Sequence, residues 1–279
     1  MDAPTATTRF FQVVIVILGL VGLFYLYRYL FGGGAMSSTT MLGPKTNAQV
    51  EANGAIVIPA NSIPGLYEGG EFSISTWVYI QNWTYRQGHN KHILSIGGNT
   101  FDTIRMYLGG NKPQLRIRLH TSMDSTPAPT SSAGGPQNTG LIPSDRLDKD
   151  SREALFSGID TGSGLLDSAN QLCDLPELDM QRWVQVTVAV NGKTCDVYLD
   201  GKLARSCVLP THFKVDAGGY NATLLGFGGF GGYIAATTMY NYAVSPDHVY
   251  RSYMMGPAPV SDLGSYLTSF FQPQSTINV

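Results

Sequence analysis

Glu177 and Asp179, two positions apart in this 279-residue chain, are the first residues whose spacing suggests chemistry. Alternate positions on a strand share a face. Retaining glycoside hydrolysis needs two carboxyl groups about 5–5.5 Å apart. Here the next alternating position is Gln181, and the pair precedes a strand rather than lying within it. Hydrolysis is therefore not expected. His89 and His92 form His-Asn-Lys-His. Two imidazoles need further ligands to hold a metal, and none is near in sequence, so a solvated turn is expected. The run GFGGFGG (226–232) lacks the Lys-Ser/Thr ending of a phosphate loop and leads into a strand. It reads as a turn or bulge beside a close backbone approach. No Ser-His-Asp set emerges. The expectation is a protein that is not an enzyme, with no catalytic residues, no cofactor and no metal. Two sequons, Asn82-Trp83-Thr84 and Asn221-Ala222-Thr223, matter only in a secretory lumen.

The elements around these residues are mostly strands. EFSISTWVYI (71–80) sets Phe72, Ile74, Thr76, Val78 and Ile80 against Ser73, Ser75, Trp77 and Tyr79, as in a strand between two layers. HILSIGG (92–98) and IRMYLGG (104–110) end in glycine pairs, and QLRIRLHT (114–121) alternates as a half-exposed strand. RWVQVTVAV, TCDVYL and KLARSCVL are joined at Asn191-Gly192 and Asp200-Gly201, strong hairpin signals. Two more strands flank the glycine run within 222–244. SREALF (151–156) is a short helix, and SPDHVYRSYMMG (245–256) another, with Ser245 as N-cap, Pro246 at N1 and Gly256 as stop. Leu263, Tyr266, Leu267, Phe270 and Phe271 fall at helical spacing.

The stretch Phe10–Phe31 is almost wholly apolar. As a helix it spans roughly 33 Å, enough for a hydrocarbon core of about 30 Å. It is longer than a signal-peptide core of about 7–15 residues. Tyr25, Tyr27, Arg28 and Tyr29 resemble an interfacial anchor. A retained single-pass anchor is expected, with orientation open because Arg9 and Arg28 flank it almost symmetrically. The resulting division is a tail (1–9), a transmembrane helix (10–31), a flexible linker (32–50), a sandwich domain (51–256) with a long insertion (122–170), and a tail (257–279) carrying a short amphipathic helix. The net charge of −2 gives no basic excess for nucleic acid. Only 14% of residues are charged, which fits an anchor plus a β-rich domain with neutral loops.

Repeated short strands with tight turns indicate an all-β antiparallel sandwich. FSISTWVYI, ILSIGG, RWVQVTVAVNGKTCDVYLDGKL and GGYIAATTMYNYAVSPDHV, in that order, resemble the concanavalin A-like, laminin-G-like jelly-roll family over most of 71–250. The resemblance implies two stacked sheets with roughly twelve to fourteen strands. It also implies that any sugar site would use rim loops, for which Trp83, Tyr85 and Tyr220 are candidate stacking residues and Asp216 a candidate ion ligand. Residues 173–210 further resemble laminin-G-like proteins of large nucleocytoplasmic DNA viruses. That implies a non-enzymatic minor capsid protein in the virion membrane beneath the capsid shell. Its partners would be the lipid bilayer and neighbouring capsid or membrane proteins. The alternative is a membrane-anchored, lectin-like ectodomain with a glycan partner.

The chain has three cysteines. A two-residue turn at Asp200-Gly201 places Cys195 opposite Ser206, whereas a three-residue turn would place it opposite Cys207. In the viral sequences that this stretch resembles, the outer two cysteines recur. The resemblance therefore implies a Cys173–Cys207 disulfide with Cys195 a free, buried thiol.

Overall fold

The computed structural model describes residues 12, 14–23, 26, 37–43, 45–51, 54–121, 147, 149–160 and 173–257. The chain divides into two compact units, 1–37 and 38–279. In the first, residues 12, 14–23 and 26 are helical. Ile15, Leu18, Leu20 and Leu23 are each well over half exposed. Among the described residues no helix is long and apolar enough to cross a membrane. Phe10 and Phe31 lie outside them, as do the amphipathic segment 261–271 and most of the 122–170 insertion.

The second unit is an all-β sandwich. Its strands are β1 (Ser38–Leu42), β2 (Thr46–Gln49), β3 (Ile56–Ile58), β4 (Glu71–Ile80), β5 (Lys91–Gly97), β6 (Asp102–Leu108), β7 (Leu115–Leu119), β8 (Trp183–Asn191), β9 (Thr194–Leu199), β10 (Lys202–Val208), β11 (Asn221–Leu224) and β12 (Gly229–Tyr240). Two helices accompany them, α1 (Lys149–Ser157) and α2 (Pro246–Met255). One sheet has seven strands, ordered β1-β12-β4-β8-β9-β10, with β2 also pairing β12. The other has five, ordered β3-β11-β5-β6-β7. All strand pairs are antiparallel.

Period-two alternation builds the core. Phe72, Ile74, Val78 and Ile80 of β4 join Val184, Val186, Val188 and Val190 of β8. Leu94, Ile96, Ile104, Met106, Leu115 and Ile117 meet them from the five-stranded sheet in the same cluster. Both hairpin turns carry a glycine at positive φ, but the first loop is Gly192-Lys193, because Asn191 pairs with Thr194 as the last residue of β8. Asp200 and Gly201 have φ of 48° and 78°, the doubly positive pattern of a type I′ turn. Helix α2 starts as expected, with the Ser245 hydroxyl accepting from the His248 N–H and Pro246 in the first turn.

Three expectations change. Residues 32–50 are not a linker throughout, because β1 and β2 add to β12 at the edge of the larger sheet. Their short polar sequences carry little apolar alternation, since only Met41 and Ala48 turn fully inward. The strand 114–121 is not half exposed. Arg116, Arg118 and His120 are buried, because Arg116 pairs with Asp160 at 2.9 Å and Arg118 with Asp174. The His-Asn-Lys-His run is not a solvated turn, since β5 begins within it and buries Lys91 and His92.

The hairpin β9–β10 keeps a two-residue loop, with Leu199 opposite Lys202. The register then shifts between Leu203 and Arg205, which brings Cys207 opposite Cys195. The bulge, not a longer turn, supplies the extra residue. The disulfide joins Cys173 to Cys207, with Cα atoms 5.8 Å apart, and Cys195 is a buried free thiol.

Candidate functional site

The outward residues of β4 are Ser73, Ser75, Trp77 and Tyr79. Helix α2 covers the first three. Ser73 donates to the Tyr242 carbonyl just before α2, Gln185 bonds Ser252 at 2.9 Å, and Trp77 stacks on Tyr253 with ring centres 5.7 Å apart. Tyr79 lies beyond the helix. Directly opposite it on one side is Trp183 at the start of β8, and on the other Tyr233 of β12. Opposite Tyr233 in turn is Asn47 of β2. Register alone thus sets Trp183, Tyr79, Tyr233 and Asn47 in one row across four strands, on one face.

The row is part-exposed, with the three aromatics half-buried and Asn47 exposed. Tyr79 and Trp183 have ring centres 5.5 Å apart at 56°, and Tyr79 and Tyr233 6.1 Å apart at 54°. The rings form a ridged surface rather than a flat one. Lys45 holds its ammonium 3.8 Å from the Tyr233 ring centre, a cation–π contact. At the other end Arg182 is clamped between Asp179 and Asp200, each at 2.6 Å. The Asp200 hydrogen bond, outweighing the effect of burial, and the Asp179 bond raise the Arg182 pKa. The row therefore offers apolar ring faces bordered by an amide, exposed carboxylate oxygens and two cations.

Glycines make room for this arrangement. A Cβ on Gly232 would strike the Tyr79 carbonyl, and one on Gly231 the Asn82 carbonyl. The glycine run is where β12 meets β4 and its following loop backbone to backbone, as the sequence suggests.

The sequence-predicted rim residues are not gathered in one place. Trp83 and Tyr85 lie near the Lys91 end of β5. The Lys91 ammonium sits 3.9 Å over the Trp83 ring, and the Tyr85 hydroxyl donates to the Gly228 carbonyl at 2.9 Å. Asp216 and Tyr220 lie at the Gly97 end, since Tyr220 precedes Asn221, which pairs with Gly97. Asp216 accepts from the Thr100 amide and hydroxyl at 2.8 and 2.6 Å and from the Gly218 amide. Burial raises its pKa, but these bonds together outweigh that and leave it lowered. Tyr220 accepts from the Leu66 amide at 2.8 Å. One such rim would have to span the length of β5, roughly 20 Å at about 3.3 Å per residue. Each of the four instead braces its own loop.

The remaining candidates have other tasks. Glu177 pairs with Lys112 at 2.9 Å, whereas Asp179 pairs with Arg182. His89 Nδ1 bonds the Gly158 carbonyl, and His92 Nδ1 accepts from the Gly226 amide at 3.0 Å. Burial, with the charges of Arg105 and Arg152, lowers the His92 pKa to about 3, so it is neutral. Among the described residues no group of three or more His, Cys, Asp and Glu side chains converges as a metal site would require.

Sequence reasoning missed the row. Tyr79 was visible as an outward residue of β4, but Trp183, Tyr233 and Asn47 reach it only through register between distant strands.

No family model matches the chain, and no curated protein matches it significantly. Among solved structures, it is similar to Trypanosoma rangeli sialidase in complex with 2,3-difluorosialic acid, with 12% identity, a TM-score of 0.46, and coverage of 79% of this chain and 28% of that one. It is also similar to the botulinum neurotoxin serotype D ligand-binding domain in complex with N-acetylneuraminic acid, with 11% identity, a TM-score of 0.46, and coverage of 80% and 51%. A third is the binding domain of Paraclostridial Mosquitocidal Protein 1, with 15% identity, a TM-score of 0.42, and coverage of 78% and 46%. The chain thus spans at most about half of each of these.

Proposed function

We propose that this chain is a membrane-tethered, non-enzymatic binding module of the jelly-roll type, and that the Trp183–Tyr79–Tyr233 row takes a glycan. The observation that carries the reading is the row itself. Pyranose rings present apolar C–H faces and a fringe of hydroxyls. Part-exposed aromatics suit the faces, and Asn47, Gln81 and Asp179, all exposed, are at hand for the hydroxyls. Rings tilted by about 55° to each other receive individual sugar residues better than a flat crystalline polysaccharide.

The tether is the apolar segment Phe10–Phe31. Its described helical part exposes Ile, Leu and Val on all sides, the pattern of a helix meant for an apolar surrounding. The sandwich begins at Ser38, opposite Tyr240 of β12. A capsid-linking role retains only the sequence resemblance of residues 173–210.

A glycan array probed with the full chain in detergent or nanodiscs tests this reading. Wild type should bind a discrete group of glycans, and Tyr79→Ala and Trp183→Ala should lose them. Binding that survives both substitutions would overturn the assignment of the row.

A further inference from the structure

The sequon at Asn82 is not used by the proposed binding reading, and the structure sets it apart from the one at Asn221. Asn82 stands on the loop between β4 and β5 and is exposed. Its carbonyl oxygen Oδ1 accepts from the Thr84 amide at 2.8 Å and from the Thr84 hydroxyl at 2.7 Å. The sequon threonine is thus folded onto the oxygen of its own asparagine. The Nδ2 amide projects from the opposite side of the same group. Asn221 is also exposed, but it opens β11, whose backbone is paired to β5 on one side and to β3 on the other. Its sequon is stretched along a central strand.

A second, independent feature bears on compartment. The Cys173–Cys207 disulfide closes a loop with a sequence separation of 34. Disulfides persist in oxidising compartments and are rare in the cytosol. The eukaryotic secretory lumen is oxidising and also holds the machinery that recognises Asn-X-Ser/Thr.

We propose that Asn82 is an N-glycan acceptor, and that the sandwich folds on the lumenal side of the membrane with the N-terminus on the cytosolic side. The donor would be a lipid-linked oligosaccharyl diphosphate. Asn82 Nδ2 forms a bond to the anomeric carbon of the sugar. The bond from that carbon to the diphosphate oxygen breaks, the lipid diphosphate leaves with the electron pair, and the amide gives up one proton. The product extends into solvent from an exposed loop and displaces no packed side chain. This inference does not depend on glycan recognition by the aromatic row, since its readout is covalent mass on the chain.

The test is expression of the full chain in a eukaryotic cell with an intact secretory pathway, followed by amidase digestion and peptide mapping. Expected is a mobility shift equal to one glycan that disappears on digestion, with residue 82 recovered as aspartate. Asn82→Gln and Thr84→Ala should abolish the shift, whereas Thr84→Ser and Asn221→Gln should retain it. The Thr84→Ser and Thr84→Ala pair keeps the outcome readable if Asn82→Gln fails to fold. An unshifted wild-type chain, or a shift removed by Asn221→Gln alone, would overturn the proposal.

Discussion

Cys195 and Cys207 face each other across the β9–β10 ladder, yet the bond from Cys207 runs to Cys173. Three sulfur atoms therefore belong to one buried cluster in which only two are joined. Burial, aided by Asp196, pushes the Cys195 thiol up to about 12. At neutral pH it is almost wholly protonated, and attack on a disulfide needs the thiolate. Peptide mapping of the oxidised protein should show the Cys173–Cys207 linkage, with Cys195 alkylated only after unfolding. Cys207→Ser should cost about 2–4 kcal/mol. A Cys195–Cys207 linkage in native protein would contradict this arrangement.

The outer face of the five-stranded sheet carries buried ion pairs beside the apolar cluster of Tyr107, Leu155 and Phe156. Asp102 is fully buried and holds Arg105 at 2.7 Å and Arg152 at 3.2 Å. Removing one partner of a buried pair leaves an uncompensated charge and costs about 3–5 kcal/mol. Asp102→Ala should lose stability of that order in chemical denaturation. The double substitution with Arg105→Met should recover part of it. An Asp102→Ala protein as stable as wild type would show that the pair is not buried as described.

His92 ties stability to acid. Its folded pKa of about 3 lies below the ordinary value of 6.5. Between these values the unfolded chain binds a proton that the folded chain refuses. Stability is therefore unaffected by His92 above about pH 6.5 and falls as the pH drops from there toward 3. One proton corresponds to at most about 1.4 kcal/mol per pH unit. His92→Gln should flatten the difference between pH 7 and pH 4 relative to wild type. Identical pH profiles for the two proteins would contradict the buried neutral imidazole.

The legibility of this chain follows the range of the interactions. The β8–β9–β10 hairpins were readable because Gly192 and Asp200-Gly201 mark their turns locally, although the first loop is Gly192-Lys193 rather than Asn191-Gly192, and α2 because Ser245 and Pro246 encode its start. The alternation of β4 and β8 identified core residues such as Ile74 and Val186 directly. The same alternation misled at β7. Arg116 and Arg118 look solvent-facing until Asp160 arrives from within the long insertion and Asp174 from just after it. The edge strands β1 and β2 escaped notice because an edge has little to bury. Trp83, Tyr85, Asp216 and Tyr220 carried the right residue types for a ligand rim. Hydrogen bonds and ring contacts specific to each loop put them to structural use instead. The row needed the pairing of β2, β12, β4 and β8, which no local pattern contains.

The anchor has its own measurement. If Phe10–Phe31 spans a bilayer, the full chain should resist carbonate extraction. Leu20→Lys should weaken insertion by about 2.5–3.5 kcal/mol, since it places a charge near the middle of the segment. Release of the wild-type chain by carbonate would contradict the tether while leaving the sandwich and its row untouched.

Sugar binding by the aromatic row can be measured directly. Its most direct test is a titration of the full chain, in nanodiscs, with the best glycan from the array, followed through the fluorescence of Trp183. Saturable binding that perturbs Trp183 is expected. Tyr79→Ala and Tyr233→Ala should each weaken it by about tenfold, or about 1.4 kcal/mol, while Tyr85→Phe and Tyr220→Phe leave it unchanged. Unaltered affinity in Tyr79→Ala, or loss confined to the Tyr85 and Tyr220 variants, would contradict it.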